Sequence, residues 1–258
     1  MKKVLHMPAF IAGALILRAA VPHGEAAAQV FQTIATTHFD VKYEKAVPEA
    51  DARKVAEFLQ EDYKYLGEKI GADLRTPMEV RIYGNVGRFQ AESRQKKAWR
   101  GGIYQRGVLH LQPVTALVQR DIFERTLSYE LAMGVLDPVV RNGCPRWLQE
   151  SFAVYHSGEM AALSPPVGAR LASFSDLDQD IQHYPEPPQR DDVHFILGQT
   201  MKFLVDKGGE EKAFSLFRQF NGTNTVEKVF KNTFGVEYAA IEKEWAARIM
   251  SLTGTPRK

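Results

Sequence analysis

Residues 126–159 constrain the fold of this chain more than any other stretch. Their pattern is typical of two helices joined by a turn-rich connection that contains Gly143 and Pro145. Each helix carries one glutamate in a mostly apolar surrounding, Glu130 on the first and Glu150 on the second. Consecutive elements usually lie side by side, so we expect these two carboxylates to lie close in space.

Two segments of this stretch carry a resemblance to a known family. Residues 127–133 read LSYELAM, and residues 145–153 read PRWLQESFA. They resemble two motifs of the gluzincin metallopeptidases, most of all of the peptidase MA-like family: Leu-x-His-Glu-x-x-His and Pro-x-Trp-Leu-x-Glu-Gly-x-Ala. Ser151 replaces the glycine of the second motif. Residues 195–209 and 234–245 also resemble the C-terminal helices of that family, so the resemblance covers nearly the whole chain after residue 28.

The resemblance implies a zincin-like α+β fold, in which an N-terminal mixed β-sheet with helices precedes a mainly helical C-terminal half. It implies one peptidase MA-like domain over residues 29–258. Within it, we expect a β-rich subdomain at residues 29–113 and a helical subdomain at residues 114–258.

This chain lacks both histidines of the family's metal site. In the family, two histidines one helical turn apart hold Zn²⁺, the glutamate between them is the general base, and a later glutamate is the third ligand. By the match, Tyr129 and Met133 stand at the histidine positions, Glu130 at a vestigial general-base position and Glu150 at the third-ligand position. The phenol of Tyr129, with an ordinary pKa of about 10, and the neutral thioether of Met133 are poor ligands for Zn²⁺. We therefore expect neither a metal cofactor nor peptidase activity.

We expect the retained cleft to bind a peptide or protein partner without hydrolysing it. An edge strand, expected at residues 108–112, would be available to pair with an extended ligand. The hypothesis is an exported binding or scaffold module for a peptide or protein partner in the cell envelope. The residues predicted to line the cleft are the following: Tyr129, Glu130, Met133, Trp147 and Glu150.

Two alternatives remain open at this point. The first is an active metallohydrolase or peptidase with a non-standard metal site holding zinc or another metal, for which His110 and His194 are the candidate substitute ligands. The second is a structural protein of the envelope whose cleft is filled. If Glu130 and Glu150 approach each other without a cation, one of them takes up a proton or a nearby donor bonds to it. We expect Tyr129 to be the donor to Glu150, with Arg146 as the alternative.

The first 28 residues have the pattern of a signal peptide. Lys2 and Lys3 precede an apolar run at residues 7–17, about half of the roughly 20 residues that cross a bilayer. The small residues 26–28 predict cleavage before Gln29, export to the periplasm or medium, and no membrane span afterwards. Cleavage removes three basic residues and one acidic residue, so the formal net charge falls from +2 to 0. The charge therefore gives no argument for nucleic-acid binding.

Hydrophobic periodicity predicts the remaining elements. Alternation predicts strands at residues 38–43 and 78–83 and a hairpin that joins residues 103–104 to 108–112. Helices are predicted at residues 49–70, 86–97, 115–136, from 145 onward, and at 192–207, 210–220, 225–234 and 237–252. Prolines predict a loop layer over residues 160–191. The basic residues near Trp99 (Arg94, Lys96, Lys97 and Arg100) are interpreted as a solvated polar face.

Overall fold

The computed structural model describes residues 31–97, 99–140, 143–168, 173–183, 187, 189–220 and 222–254. The predicted signal peptide at residues 1–28 lies outside them. In the described part, five strands form a mixed sheet in the order β1-β2-β3-β5-β4. The inner pairs β2–β3 and β3–β5 are parallel, and the outer pairs β1–β2 and β4–β5 are antiparallel. The strands are β1 (Phe31–Ala35), β2 (Phe39–Glu44), β3 (Met78–Ile82), β4 (Gly102–Gln105) and β5 (Val108–Leu111).

Helices make up most of the rest of the described chain. The first two, α1 and α2, lie between strands, and the others follow the sheet. No helix in these residue ranges is long and apolar enough to cross a membrane. The helices are α1 (Glu49–Ile70), α2 (Val86–Ser93), α3 (Val114–Gln119), α4 (Phe123–Leu136), α5 (Arg146–His156), α6 (Phe174–His183), α7 (Gln189–Gly208), α8 (Glu210–Gln219), α9 (Val226–Phe234) and α10 (Tyr238–Thr253).

The strand-then-helix order confirms the predicted α+β fold class, with a mixed N-terminal sheet and a mainly helical C-terminal half. Helix α1 begins after Pro48 and ends at Gly71, which adopts a left-handed φ of 65°. A left-handed glycine is a common helix end because it costs no Cβ clash. The apolar face of α1 packs against β2 and α4, so it ties the sheet to the helical half.

Helix α4 packs directly against β4 and β5, and glycines lie at the points of contact. A Cβ atom at Gly101 would lie 2.8 Å from Thr126 Oγ1, and one at Gly134 would lie 2.7 Å from Met78 Cε. A side chain at either position would push α4 away from the sheet. This close approach places the residues of the first motif directly beside β4.

An aromatic cluster holds the second motif helix in the helical half. The ring of Trp147 on α5 stacks on Phe174 of α6 with 4.1 Å between centroids. Phe174 also contacts Phe230 and Trp245, and Trp245 Nε1 donates a hydrogen bond to Thr200 Oγ1 at 2.9 Å. Trp147 and Trp245 are 1% and 0% exposed. Trp147 therefore anchors α5 in the core.

Two predictions, one of a helix and one of a loop, were wrong, and one strand was not predicted. The predicted helix at residues 115–136 is two helices, because Asp121 adopts a left-handed φ of 52° and Ile122 N donates to Leu117 O at 3.0 Å, which ends α3. The predicted loop over residues 160–191 contains α6, whose buried residues pack under α5. The strand β1 was missed because its side chains are half-buried or exposed and carry a weak pattern.

The predicted edge strand at residues 108–112 was also wrong. β5 lies between β3 and β4, so the edge strand on this side of the sheet is β4. Leu109, His110 and Leu111 are all buried, as expected for a strand that is covered on both faces. The two strands are joined by Arg106 and Gly107, both with positive φ, which is the two-residue loop typical of a tight hairpin.

Candidate functional site

A cleft of about 540 Å³ opens between α4, the start of β4 and the start of α7. Its volume lies within the usual range for ligand sites. The walls come from four segments of the chain: residues 99–102, five residues between 120 and 126, a 3₁₀ turn at Glu159–Ala162 with the residue after it, and Pro187, Arg190, Asp191 and His194. Tyr129 and Glu130 of the first motif form part of its lining.

Glu130 joins the motif helix to the edge strand. Its Oε2 atom accepts a hydrogen bond from Tyr104 N of β4 at 2.6 Å. Burial raises the pKa of Glu130, and the positive charge of Arg100 opposes the rise. The amide at Tyr104 is thus already bonded, so an added strand pairs at this point of β4 only if Glu130 releases it.

Tyr129 is buried but lacks a hydrogen-bond partner at its hydroxyl. The side chain is 8% exposed, and within the described residue ranges the Oη atom meets no donor or acceptor. Its ring stacks on the imidazole of His194 with 5.8 Å between centroids and 12° between planes. A buried hydroxyl without a partner is uncommon and calls for an explanation.

His194 belongs to a short charged array in the cleft wall. Its Nδ1 atom lies 2.8 Å from Glu159 Oε2 and acts as the donor, because an ionised carboxylate can only accept. Glu159 also pairs with the guanidinium of Arg190. Burial opposes ionisation of Glu159, but His194 and Arg190 outweigh it and lower the pKa of Glu159 to about 2. Burial lowers the pKa of His194, against the pull of Glu159.

Glu150 is held by an arginine of its own helix. Its Oε1 atom accepts a hydrogen bond from Arg146 Nε at 2.7 Å and a second from Arg146 Nη2. The expectation that Tyr129 would supply this donor was wrong, since Arg146 is one turn away on α5 whereas Tyr129 turns toward His194. The Oε2 atom of Glu150 is buried and has no partner in the described part of the chain. Burial raises the pKa of Glu150 to about 7, and Arg100 opposes the rise.

The structure therefore brings only part of the predicted site to the cleft. Of the five predicted lining residues, Tyr129 and Glu130 line it, whereas Met133, Trp147 and Glu150 are buried away from its lining. Met133 is 8% exposed and packs in the core, and Trp147 stacks on Phe174. The charges of Arg100 and Glu159 act on both glutamates: Arg100 lowers the pKa of Glu130 and of Glu150, and Glu159 raises the pKa of both.

The two candidate substitute histidines lie in different places. His110 is buried in β5, where its Nδ1 atom lies 2.7 Å from Tyr83 Oη, and burial lowers its pKa to about 4. It is not among the cleft-lining residues. His194 lines the cleft, but its Nδ1 atom is engaged by Glu159.

The residues at the metal-ligand positions do not fit Zn²⁺. Tyr129 and Met133 replace two imidazoles, and the carboxylate of Glu150 is paired with Arg146. Zn²⁺ in proteins takes deprotonated Cys, neutral His or free carboxylate ligands. Within the described ranges, no three His, Cys, Asp or Glu side chains are grouped so that they could hold a metal ion.

Several cleft residues were not predicted from the sequence. They include Glu159 and the four arginines of the lining, and Trp99, whose ring lies under the guanidinium of Arg190 at 5.0 Å. The interpretation of the basic group near Trp99 as a solvated face was wrong for Trp99 and Arg100, which line the cleft. The tryptophan amid basic residues was the signal that could have indicated this. The lining arginines are Arg100, Arg120, Arg125 and Arg190.

Comparison with known proteins gives one match. The family model described as Peptidase MA superfamily matches residues 59–251, about three quarters of the chain. The matched segment begins within α1 and ends within α10, so it includes both motif helices and the cleft. No curated protein matches the sequence.

Proposed function

Because the chain belongs to the peptidase MA superfamily, we propose that it is a member that binds a peptide or protein segment in its cleft without cutting it. The main support for this proposal is that Glu150, the residue matched to the third-ligand position, already has a hydrogen-bond partner. Glu150 accepts hydrogen bonds from the guanidinium of Arg146, so its Oε1 atom is already occupied by a donor at the position where a metal ion would otherwise bind. Glu130 is likewise engaged, by the amide of Tyr104.

The open cleft favours binding over a purely structural role. A cavity of about 540 Å³ remains beside the motif helix. Tyr129 contributes to its lining, and the buried hydroxyl of this residue has no partner among the described residues. In a structural protein we would expect this volume to be filled by side chains. The lining is polar and aromatic, which suits a segment of polypeptide with its own hydrogen-bonding groups.

The test is to incubate the purified protein with pools of short peptides and to measure binding by fluorescence anisotropy and cleavage by mass spectrometry. We expect binding without cleavage, unchanged by chelator or by added zinc. The variant Ala162→Trp places a large side chain in the cleft wall and should weaken binding. Ala161→Trp is the matched control, because Ala161 is an exposed neighbour outside the lining.

Two results would contradict this proposal. Cleavage that a chelator abolishes would favour the alternative of a metallopeptidase with a non-standard metal site. Absence of both binding and cleavage would favour a structural role.

We further propose that the protein is exported after cleavage before Gln29. The support is the pattern of Lys2, Lys3, the apolar run at residues 7–17 and the small residues 26–28. Mass spectrometry of the protein recovered outside the cytoplasm should find Gln29 as its first residue. A protein that retains residues 1–28 would contradict this proposal.

A further inference from the structure

The cleft collects guanidinium groups from separate segments of the chain. Arg100 precedes β4, Arg120 lies between α3 and α4, Arg125 lies in the first turn of α4, and Arg190 lies in the first turn of α7. Like charges that share a cleft repel one another. A fold that gathers four of them therefore needs anions, either its own or those of a ligand.

The cleft's own carboxylates do not offset all four arginines. Glu159 and Asp191 both pair with the same arginine, Arg190. Glu130 accepts from a backbone amide, and its burial disfavours the ionised form. Asp121 is exposed at the rim. These contacts leave the charges of Arg120 and Arg125 without a paired acid.

Arg120 and Arg125 are the best placed of the four to meet a ligand. In the described ranges, Arg120 bonds to neutral acceptors alone: Gln112 Oε1 at 3.2 Å and the main-chain oxygen of Trp99. Arg125 has neither a hydrogen-bond nor an ion-pair partner in the same ranges. Burial and the charges of Arg190 and Arg125 lower the pKa of Arg120, as expected of cations that share a site.

Three of the four arginines, Arg100, Arg120 and Arg190, already make contacts within the cleft wall in the free protein. Gln112 is 0% exposed, and its Nε2 atom donates to Arg100 O at 2.7 Å while its Oε1 atom accepts from Arg120. The ring of Trp99 lies against the guanidinium groups of Arg100 and Arg190, at 5.8 and 5.0 Å. Tyr129 lines the same cleft, and its buried hydroxyl has no partner in the part of the chain that the structure describes.

We infer that the cleft recognises a carboxylate of the bound peptide, with Arg120 and Arg125 contacting the carboxylate and Tyr129 bonding to the adjacent polar group. A guanidinium presents paired N–H donors whose geometry matches the two oxygens of a carboxylate. The carboxylate could be the C-terminus of the peptide or an Asp or Glu side chain. This inference rests on the peptide-binding function proposed above and names the class of ligand.

The test compares three sets of matched short peptides by anisotropy: neutral with an amidated C-terminus, neutral with a free C-terminus, and amidated with added glutamates. We expect one of the two carboxylate-bearing sets to bind at least about tenfold more tightly than the neutral amidated set, since hydrogen bonds between a guanidinium and a carboxylate are roughly twice as strong as neutral ones. The peptide set that binds more tightly identifies the source of the carboxylate. Trp99 lines the cleft, so its fluorescence should change when a peptide binds. The other two tryptophans, Trp147 and Trp245, are buried in the core and should not respond.

Arg120→Gln and Arg125→Gln should each remove this preference. The control is Arg53→Gln, which makes the same change in net charge at an exposed position of α1 that pairs with Glu49 of the same helix. Equal binding of all three peptide sets would overturn the carboxylate inference and leave peptide binding intact. Equal weakening by Arg53→Gln would also overturn it, in favour of a long-range charge effect. Binding of none of the sets would overturn the proposed function as well.

Discussion

Tyr129 combines a buried ring with a hydroxyl that has no partner among the described residues. Its ring stacks on His194, and by its match to the family motif we expect it to stand at a metal-ligand position. A buried hydroxyl without a partner costs about 1–3 kcal/mol of desolvation. The cost is understandable if the hydroxyl is satisfied when a ligand binds.

Replacing Tyr129 by Phe should therefore stabilise the free protein by about 1 kcal/mol and weaken peptide binding. The measurement is the free energy of unfolding in urea, with and without peptide. Tyr63→Phe is the matched control, because Tyr63 Oη donates to Ala72 O at 3.2 Å and accepts from Leu74 N at 2.9 Å. That variant should be less stable than the parent. Destabilisation by Tyr129→Phe would mean that its hydroxyl has a partner in the free protein.

Glu150 should give the protein a characteristic dependence of stability on pH. Its pKa is raised from 4.5 to about 7 by burial, so between these values the folded state binds more protons than the unfolded state. Its contribution to stability therefore falls as the pH rises from about 4.5 to about 7, and is constant above that. Glu150→Gln removes this titration. The stability of the variant relative to the parent should rise across the same window, by up to about 3 kcal/mol.

Urea unfolding at a series of pH values measures this difference. Glu61→Gln, at an exposed position of α1, controls for the loss of one negative charge. A difference between Glu150→Gln and the parent that falls with pH would contradict the assignment, because it would mean that Arg146 lowers the pKa of Glu150 below its ordinary value.

At the scale of elements, the approach of α4 to the sheet decides where the cleft lies. Gly134 permits this approach, since an added Cβ would lie 3.0 Å from the ring of Tyr104 and 2.7 Å from Met78 Cε. Gly67 on α1 differs, because the nearest atoms to an added Cβ are 3.5 Å or more away. The same substitution should therefore have opposite effects at these two helical glycines.

Gly134→Ala should destabilise the protein by about 1–2 kcal/mol through overpacking, whereas Gly67→Ala should stabilise it by up to about 1 kcal/mol through helix propensity. Thermal unfolding of the two variants measures both effects. If Gly134→Ala also weakens peptide binding, the position of α4 controls the cleft. Stabilisation by Gly134→Ala would show that α4 does not pack on the sheet as closely as described.

The elements were predictable where the pattern was strong and local. The bounds of α1 follow from its spaced apolar residues and from Pro48 and Gly71, and the hairpin from its turn. The order of the hairpin strands was not predictable, because the choice of β5 as the partner of β3 depends on packing between distant residues. The break between α3 and α4 depends on Asp121 in a left-handed conformation, which no periodicity indicates.

Across the whole molecule, the family and the fold class were predictable from the two motifs and from the resemblance of residues 195–209 and 234–245, because such patterns can be read along the sequence without knowing which segments pack together. The composition of the cleft was not predictable in the same way. Arg120, Glu159 and Arg190 come from three distant segments, and only the folded chain brings them together. We expected the side chain of Glu150 to line the cleft, but it is buried outside the cleft lining and pairs with Arg146 of the same helix.

A rebuilt metal site tests the placement of the two motif helices. Tyr129→His with Met133→His should bind zinc weakly, because Arg146 competes for Glu150. Adding Arg146→Gln should tighten zinc binding by about tenfold or more, as expected for a residue that controls a ligand's availability. Adding Glu150→Gln instead should weaken it. If zinc affinity is indifferent to both additions, Glu150 does not stand at the third-ligand position.

We propose that this member of the peptidase MA superfamily functions without a metal ion at its motif residues. The most direct measurement is the metal content of the purified protein by mass spectrometry, after dialysis against a limiting chelator and then against added zinc. We predict that no transition metal is retained in proportion to the protein. Retention of about one tightly held metal ion per chain would contradict the account, and would point to a substitute site that includes His194.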